Sequence, residues 1–408
     1  MVTIHSFAAA GADTASVLDD IERQVAERRI TANLVFAFFG CSHDAVKIHA
    51  YLKGRFPDTA LLGGTSGSGI MTDARLWGND AIGLLAICDA EGQYGAAAVP
   101  FADDPAAAAE AALHAALAQA SCPGELPALI WVYQAPGREE EAMDGLRHIV
   151  GDRCPIIGGS SADDDGSGRW HQIGPDGVLE NGIAVAVLFS SGGISYAFQG
   201  GYEPAGPSGI VTRVGRDDSG KRGVHPGVRS RELVEIDGRP AALVYDEWTG
   251  NILGEKATSG GNIFEQTTMH PLAVQTGDIE GVPHYLLIHP KAVTSSGGLT
   301  TFAAIEQGTR VYSMRGNKQQ LAERGGHVAA QAVAQLPDGP DSFAGGLVVY
   351  CVGCQRTVRE QMPAVALGVK ESFRQSPFLG CFTLGEQGCI TGRNTHGNLM
   401  ISAVAFGT

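Results

Sequence analysis

The sequence predicts an α/β fold with mixed sheets and crossover helices, arranged in two domains. First, strand-like apolar runs alternate with segments whose apolar residues have helical spacing, which is typical of crossover units. Second, one order of elements occurs three times: strand, helix, strand ending in a glycine-rich turn, loop and strand. Third, the chain has 408 residues, more than one ordinary domain contains, so two domains are expected.

The first repeated unit begins with "NLVFAFFG" at residues 33–40. It continues through the helical pattern "SHDAVKIHAYLKGRF" to "ALLGGTSGSGI" at residues 60–70, and closes with "NDAIGLLAIC". Apolar runs of this length, bounded by glycine and proline, predict buried strands. The glycines permit tight turns and a close approach of the backbone to a neighbour or a ligand.

The second and third units repeat this order. The second contains "PALIWVYQAPG", the helical pattern "REEEAMDGLRHIVG", "CPIIGGSSADD" at residues 154–164 and "NGIAVAVLFS". The third contains "GGLVVYCVGC", "VREQMPAVALGVKESF", "SPFLGCFTLGEQG" and "HGNLMISAVAF". Between the first two units, "FADDPAAAAEAALHAALAQA" predicts an alanine-rich helix that opens near Pro105, after two acidic residues.

The domain boundary is expected near residue 230. The stretch "VGRDDSGKRGVHPGVRS" at residues 214–230, which contains His225, is charged and rich in glycine, so it predicts an exposed loop. Beyond it, "ELVEIDGRPAALVYDEWTG" predicts a strand, a turn at Asp237 and Gly238, and a helix starting near Pro240. We therefore expect a helical extension at residues 1–30, two units in residues 31–230 and one unit in residues 231–408.

Charge and composition limit the possible partners and the cellular location of the protein. A formal net charge of −15 disfavours nucleic acid and anionic membranes as partners. Neither a signal-peptide pattern nor an apolar run long enough to cross a bilayer is present, so a cytoplasmic protein without membrane insertion is expected. The eight cysteines are then expected to be reduced. Cys351, Cys354, Cys381 and Cys389 could form a zinc site, but buried strand thiols are favoured because the second pair lacks the usual spacing.

Several stretches, in their order and spacing, resemble the FIST family from about residue 30 onward. They are "LLGGTSGSGI", "PIIGGSSADD", "VTRVG", "ELVEIDGRPAALVYDEWTG", "HPLAV", "YLLIHPKAV" and "PFLGCFTLGEQG". The resemblance implies a FIST N-terminal and a FIST C-terminal domain, which together act as a sensor in bacterial signal transduction and not as an enzyme. It also implies a separate output partner, a histidine kinase or another signalling protein, and is compatible with a homo-oligomer.

Within the family, two kinds of ligand remain open. The stand-alone, NosP-like branch binds b-type haem and senses nitric oxide, which controls a partner kinase and biofilm behaviour. Other members have been proposed to bind amino-acid-like small molecules. In either case we expect ligand occupancy to change the packing of the two domains, and the partner to sense that change.

The haem hypothesis requires an axial imidazole in an apolar pocket. His270 and His289 both precede proline, which holds the backbone extended and removes the next amide donor. His270 is the candidate iron ligand, and Met269 and Leu272 are candidates to line the macrocycle. The alternative is that both histidines end strands and form local hydrogen bonds.

The glycine-rich turns form the second candidate site. Their hydroxyls and amides could bind a carboxylate or phosphate, whereas Asp163 favours an ammonium group or a cation. Alternatively, the glycines only permit tight turns. Trp248 and Glu386 could contact a ligand, or could serve in core packing and capping. The remaining turn candidates are Thr65, Ser66, Ser160 and Ser161.

The rival hypothesis is a serine or thiol hydrolase, which needs a nucleophile, a base and an orienting acid that converge in space. The sequence contains no nucleophile-elbow, dinucleotide-binding or phosphate-binding loop motif.

Overall fold

A computed structural model of the chain describes residues 1–215 and 229–408. Most of the predicted loop at 214–230, including His225, therefore lies outside the described residues. The predicted mixed α/β class is confirmed. The chain forms two compact units. Unit 1 contains Met1–Gln199, Ala322–His396 and Ile401–Thr408, and unit 2 contains Gly200–Leu321 and Gly397–Met400.

Unit 1 consists of three modules with one plan: an outer strand, a helix, a central strand, a second helix, a second central strand, a two-stranded hairpin and a closing strand. The predicted helical segment at residues 1–30 is the outer strand and first helix of module 1. Asp13 caps that helix, because its carboxylate accepts a hydrogen bond from the Ser16 amide. Module 1 comprises β1 (Thr3–Ala10), α1 (Thr14–Arg28), β2 (Leu34–Phe39), α2 (Ala45–Arg55), β3 (Ala60–Thr65), β4 (Ile70–Thr72), β5 (Leu76–Trp77) and β6 (Ala81–Cys88).

Module 2 follows the same order, and its alanine-rich helix begins where the sequence predicts. Pro105 occupies the first turn, and the Asp104 carboxylate accepts a hydrogen bond from the Ala107 amide at 3.0 Å. The module comprises β7 (Gln93–Pro100), α3 (Pro105–Gln119), β8 (Leu129–Gln134), α4 (Glu139–Val150), β9 (Ile156–Ser160), β10 (Gln172–Gly174), β11 (Gly177–Leu179) and β12 (Gly182–Phe189).

Module 3 begins with β13 (Ile194–Gly200), and the chain then enters unit 2 before the module continues. Unit 2 contains a nine-stranded sheet with the order β17-β20-β21-β15-β14-β22-β18-β19, in which β16 pairs with β15. The predicted turn at Asp237 and Gly238 is present, with positive φ at both residues. The elements of unit 2 are β14 (Tyr202–Val214), β15 (Arg229–Ile236), β16 (Arg239–Pro240), α5 (Ala241–Trp248), α6 (Lys256–Ser259), β17 (Gly261–Asn262), α7 (Phe264–Thr267), β18 (Leu272–Ile279), β19 (Val282–Ile288), β20 (Pro290–Val293), β21 (Leu299–Glu306) and β22 (Arg310–Gly316).

The rest of module 3 follows unit 2 in the chain. Since the insertion separates β13 from its helix, the sequence pattern reveals only the second part of this module. Each of the two structural units consists of separate ranges of the chain. They therefore do not test a boundary between contiguous domains near residue 230, which stays a prediction. The remaining elements are α8 (Lys318–Ala334), a 3-10 helix (Pro340–Ser342), β23 (Phe343–Cys351), α9 (Val352–Thr357), a second 3-10 helix (Arg359–Gln361), α10 (Met362–Ser372), β24 (Phe378–Thr383), β25 (Glu386–Ile390), β26 (Arg393–Gly397) and β27 (Met400–Gly407).

The three modules exchange their hairpins cyclically. Each module builds a six-stranded sheet around a parallel central pair, β2 with β3, β8 with β9 and β23 with β24. The hairpin β4–β5 of module 1 joins the sheet of module 3, β10–β11 of module 2 joins that of module 1, and β25–β26 of module 3 joins that of module 2. This exchange brings the ends of the central strands together.

The paired glycines of the repeat lie inside the strands, not in the turns. A Cβ atom on Gly63 in β3 would be 1.9 Å from the Ala37 carbonyl oxygen, and one on Gly158 in β9 would be 1.8 Å from that of Val132. No side chain fits at these distances. The glycines are therefore required by close approach of the backbones of neighbouring strands, one of the two roles expected from the sequence.

Candidate functional site

The three turns that follow β3, β9 and β24 meet, and we call residues 65–69, 160–164 and 383–387 the turn junction. Backbone hydrogen bonds join the first turn to the second, the second to the third, and the first to the end of strand β24, which leads into the third. This meeting point lies at the carboxyl ends of the central parallel strands, where α/β proteins commonly place ligands. The bonds run from the Ala162 amide to the Thr65 carbonyl at 3.1 Å, from Gly67 to Phe382 at 3.0 Å and from Leu384 to Ser160 at 3.1 Å.

Two predicted turn residues, Thr65 and Ser66, are buried and link elements of the junction. The Thr65 hydroxyl oxygen accepts a hydrogen bond from the His171 amide at 3.0 Å. The Ser66 hydroxyl donates to the Gly69 carbonyl and accepts from the Phe382 amide at 2.8 Å. Both hydroxyls therefore have a structural role, and their role in ligand binding stays a prediction.

Ser161 is also fully buried at the junction. Its hydroxyl donates to the His171 carbonyl at 3.3 Å and accepts from the Gln172 side-chain amide at 2.8 Å. The other amide atom, Gln172 Oε1, is buried and has no hydrogen-bond partner within residues 1–215 and 229–408. Ser161 thus positions an amide whose acceptor is still available.

The acidic stretch after β9 stabilises its own loop. Asp163 is buried, and its two carboxylate oxygens accept hydrogen bonds from the amides of Gly166 at 2.8 Å and Gly168 at 2.6 Å. The neighbouring Asp164 accepts from the Ser68 amide at 2.5 Å. Backbone donors already engage the Asp163 oxygens, so a role in ammonium or cation binding stays a prediction.

A buried polar group lies where β9, β25, β26 and α4 come together, and we call Glu139, Ser160, Gln387 and His396 the Ser160 cluster. Ser160 is fully buried, and its hydroxyl donates to Glu139 Oε1 at 2.9 Å. The other Glu139 oxygen accepts from the Gly137 amide at 2.9 Å. The Gln387 side-chain amide lies 3.5 Å from Ser160 Oγ and 3.2 Å from His396 Nδ1.

Sequence reasoning selected only Ser160 from this cluster. Glu139 appeared as one acid of a helical pattern, and Gln387 and His396 are on short strands with no pattern of their own. The available signal was the "GEQ" of the third turn, because an acid and an amide there interrupt an otherwise apolar and glycine-rich stretch.

Several buried polar atoms near these strand ends lack partners. Gln134 ends β8 beside Ser160 in the pairing register, and neither of its side-chain amide atoms has a hydrogen-bond partner in the described part of the chain. The same holds for Gln387 Oε1 and His396 Nε2. Because an unsatisfied buried polar group costs roughly 1–3 kcal/mol, these atoms are candidates for hydrogen bonds to water or to a ligand.

Glu386, predicted as a ligand contact or an exposed cap, is fully buried at the turn junction. Its Oε1 accepts a hydrogen bond from the Thr383 hydroxyl at 2.9 Å. It pairs with Gly159 across β25 and β9, next to the Ser160 cluster. The carboxylate is thus placed where a ligand could use it, and ligand contact itself stays a prediction.

The candidate haem residues lie in unit 2, at the base of the β18–β19 hairpin. His270 is half-buried, and burial and the nearby Arg315 lower its pKa, so the imidazole is neutral at pH 7. The Tyr245 hydroxyl donates to the His270 carbonyl at 2.6 Å and fixes the backbone there. A neutral, partly accessible imidazole on a fixed backbone fits an axial ligand.

The other haem candidates are already committed to packing or hydrogen bonding. His289 is 5% exposed, and its Nε2 lies 2.9 Å from the Phe264 carbonyl oxygen and 3.4 Å from the Thr268 hydroxyl. Leu272 belongs to the core of unit 2, while Met269 is half-buried. His289 therefore has the local hydrogen bond weighed as its alternative role, and haem binding by any of the four residues stays a prediction.

Trp248 ends helix α5 and packs, partly buried, against the core of unit 2. This is the core role weighed for it in the sequence, and a ligand contact there stays a prediction.

The four cysteines weighed as a zinc site are buried. Among the residues that the structure describes, Cys351, Cys354, Cys381 and Cys389 form no group that could hold a metal ion. Hydrogen bonding to Cys354 together with burial raises the pKa of Cys351, and burial raises the pKa of Cys381 and Cys389. These three cysteines are therefore protonated at neutral pH and are poor nucleophiles.

The modular α/β architecture, with a buried polar junction at the strand ends, has the form of a ligand-binding protein. Residues 33–239 match the FIST N domain, and residues 241–389 match the FIST C domain. The chain belongs to the FIST family, whose domains are ligand-binding sensor domains of signalling proteins.

Comparison with other proteins adds little to this assignment. None of the curated proteins matches the chain significantly. Cyanuric acid hydrolase from A. caulinodans is 10% identical over 100% of both chains with a TM-score of 0.36. Another cyanuric acid hydrolase structure is 8% identical over 100% of both chains with a TM-score of 0.36. PurLQS from Thermotoga maritima is 8% identical over 83% of this chain and 74% of its own, with a TM-score of 0.21.

Within the described ranges, no helix has both the length and the apolar character required to cross a bilayer.

Proposed function

We propose that this protein is a sensor that binds a small, polar, amino-acid-like ligand at the turn junction. One observation carries the proposal: the fully buried Gln134 amide has neither a donor nor an acceptor as a partner in the described part of the chain. A bound ligand would supply the missing hydrogen bonds, which the fold itself does not provide.

The side chains in and beside the junction favour a ligand that both donates and accepts hydrogen bonds. Gln134 offers an amide donor and an acceptor, and Gln172 Oε1 offers a second acceptor. The carboxylate of Glu386 is buried at the same junction and would attract a positively charged donor such as an ammonium group. An α-amino acid or a related zwitterion combines these features.

The ligand's effect would be transmitted through the turns. Because backbone hydrogen bonds join the three turns, a ligand between them would change the contacts of all three modules of unit 1. A ligand shifts such an equilibrium only by its different affinity for the two arrangements. We propose that a partner protein, a histidine kinase in the first instance, responds to this change.

The test is a thermal-shift and calorimetric screen of amino acids and related zwitterions with the full chain. A ligand is expected to raise the melting temperature of the wild type. It should have the same effect on Gln24→Leu, a control whose amide is bonded to the Ala8 carbonyl away from the junction. Gln134→Leu should remain folded, since it removes an unsatisfied amide, but should lose the ligand response. A panel without any binder, or binding that survives in Gln134→Leu, would contradict the proposal.

A second candidate ligand is b-type haem, with His270 as the axial ligand. The neutral, half-buried imidazole of His270 supports this candidate. Haem would supply the iron that binds nitric oxide, and His270 would hold that iron. The absorption spectrum of protein purified from haem-supplemented cells decides the question. We expect a Soret band in the wild type and in the control His284→Ala, and its loss in His270→Ala. A wild-type spectrum no different from free haem would leave the polar ligand as the proposal.

We propose no hydrolase activity. The Ser160 hydroxyl donates a hydrogen bond to the Glu139 carboxylate, and in the described part of the chain it has no histidine partner, so the expected nucleophile–base pair is missing at this serine. Labelling of Ser160 or one cysteine by a covalent serine or thiol probe would favour the hydrolase instead.

A further inference from the structure

Two members of the Ser160 cluster, Glu139 and His396, form with the neighbouring Glu140 a group that has the composition of a metal site. Glu139 and Glu140 start helix α4 of module 2, and His396 lies on β26, an edge strand of the sheet of module 2. One ligand atom from each of the three residues lies within 4.8 Å of the others. Glu139 and His396 are buried, and Glu140 is half-buried, so one of the three side chains is partly exposed to solvent.

His396 carries an unused nitrogen in this group. The residue is 5% exposed, and its Nε2 atom has no hydrogen-bond partner in the described part of the chain. Its other nitrogen, Nδ1, lies 3.2 Å from the Gln387 side-chain amide, whose Oε1 atom also lacks a partner. Two neighbouring buried side chains therefore leave one polar atom each unsatisfied.

A single rotation resolves part of this mismatch. The oxygen and nitrogen of a glutamine side chain exchange places when the amide turns by 180°. Gln387 Oε1 would then accept a hydrogen bond from His396 Nδ1–H, and the lone pair would be on Nε2, the nitrogen without a partner. Histidines that bind metals usually donate their second N–H to such an acceptor, which fixes the ring.

We propose that Glu139, Glu140 and His396 bind a divalent metal ion, Zn²⁺ in the first instance. Two carboxylates and an imidazole suit zinc, and three protein ligands leave one tetrahedral position for water or another ligand. The proposal concerns a site that the sensor function does not require, and it does not depend on that function.

The surroundings of the three ligands are already ordered. Hydrogen bonds from Ser160 and Gly137 hold the two oxygens of Glu139. Gly385 packs against the group, since a Cβ atom there would be 2.5 Å from His396 Cε1 and 3.3 Å from Glu139 Oε1. The next acid of the helix, Glu141, forms an ion pair with Arg138 and so serves as a control.

The repeated modules show that the fold does not require Gln387. Gln387 pairs with Gly158, two residues before the end of β9. At the equivalent positions of the other two sheets, Ile173 pairs with Gly63 and Ile70 pairs with Cys381. Both isoleucines are fully buried. An isoleucine satisfies the packing twice, so the polar side chain at the third position has another purpose.

The experiment measures Zn²⁺ binding to the full chain after treatment with a chelator, by competition with a chromophoric chelator and by elemental analysis after dialysis. We expect one ion per chain in the wild type and in Glu141→Gln. Binding should weaken at least tenfold in Glu140→Gln and in His396→Asn. Glu140 is half-buried, so its variant keeps the test decisive even if His396→Asn fails to fold.

The role of Gln387 as a positioning residue is tested by a pair of variants. Gln387→Leu should weaken Zn²⁺ binding about tenfold or more, the effect usual for loss of a hydrogen bond to a metal-binding histidine. Gln387→Glu, which still offers an acceptor to His396 Nδ1–H, should restore it. Gln134→Leu should retain the metal, so the outcome is separable from that of the ligand screen. Absence of stoichiometric Zn²⁺, or equal binding by the wild type, Glu140→Gln and His396→Asn, would overturn the proposal.

Discussion

Acidification should destabilise unit 2 through His289, and the glutamine variant His289→Gln isolates the effect. The His289 imidazole is 5% exposed and hydrogen-bonds through Nε2 to the Phe264 carbonyl. Burial lowers its pKa from 6.5 to about 4, although the Phe264 contact partly opposes the shift. A glutamine can donate to the same carbonyl but does not titrate in this range.

The direction and size follow from proton linkage. Above pH 6.5 the imidazole is neutral in both folded and unfolded chains, so its titration has no effect on stability. Below that pH the unfolded chain takes up a proton that the folded chain resists, so stability falls as the pH is lowered. With pKa values of about 4 folded and 6.5 unfolded, the loss is about 2 kcal/mol at pH 5 and about 3 kcal/mol at pH 4.

Hydrogen–deuterium exchange of peptides covering β19 and β20 measures this effect within unit 2. The wild type and His289→Gln are compared at the same pH, which cancels the pH dependence of intrinsic exchange. Between pH 7 and pH 4, the opening free energy of the wild type should fall by about 3 kcal/mol relative to that of His289→Gln. If the difference in opening free energy between the two proteins did not depend on pH, the conclusion that the His289 imidazole is buried and neutral would be refuted.

Three further predictions concern the stability of unit 1, each measured by urea denaturation of the full chain. Asp104→Ala removes the cap of α3 and should lower the free energy of unfolding by about 1 kcal/mol, and an unchanged midpoint would disprove the cap. Gly63→Ala places a Cβ 1.9 Å from the Ala37 carbonyl oxygen and should cost about 3 kcal/mol or more. Gly54→Ala, at an exposed position of α2 with nothing near its Cβ, should be neutral or stabilising. Equal effects of Gly63→Ala and Gly54→Ala would contradict the close approach of the strands at Gly63. Ile173→Gln buries an amide at a fully buried position and should cost about 2 kcal/mol, so a neutral effect would mean that this position tolerates polarity.

The sequence predicts the repeated elements well because their signals are local. The apolar run of β8, the spacing of α4 and the Asp104–Pro105 start of α3 each depend on neighbours within a few residues. The hairpin exchange depends instead on three-residue strands such as β4, which pairs with β24 about 300 residues away. Such a strand has no preference of its own for one partner, so its place is determined only by the assembled modules.

The site was predicted only in part for the same reason. Ser160, Ser161 and Glu386 follow strong strand signals, so strand-end reasoning selected them. His396 and Glu139 are 257 positions apart in the sequence numbering, and their proximity arises only because β25 and β26 join the sheet of module 2. No periodicity within either segment reports that pairing.

Equivalent positions of the three modules distinguish polar residues that the fold requires from polar residues that it does not require. Thr65, Ser160 and Thr383 end the three equivalent strands, and all three carry hydroxyls with a partner inside the protein. A hydroxyl at this position is therefore part of the common plan and says little about function. The position occupied by Gln387 differs, because the other modules place isoleucine there. Selection for packing alone would leave all three positions apolar, so chemistry specific to the sheet of module 2 is the better explanation for Gln387 and for the unused nitrogen of His396 beside it.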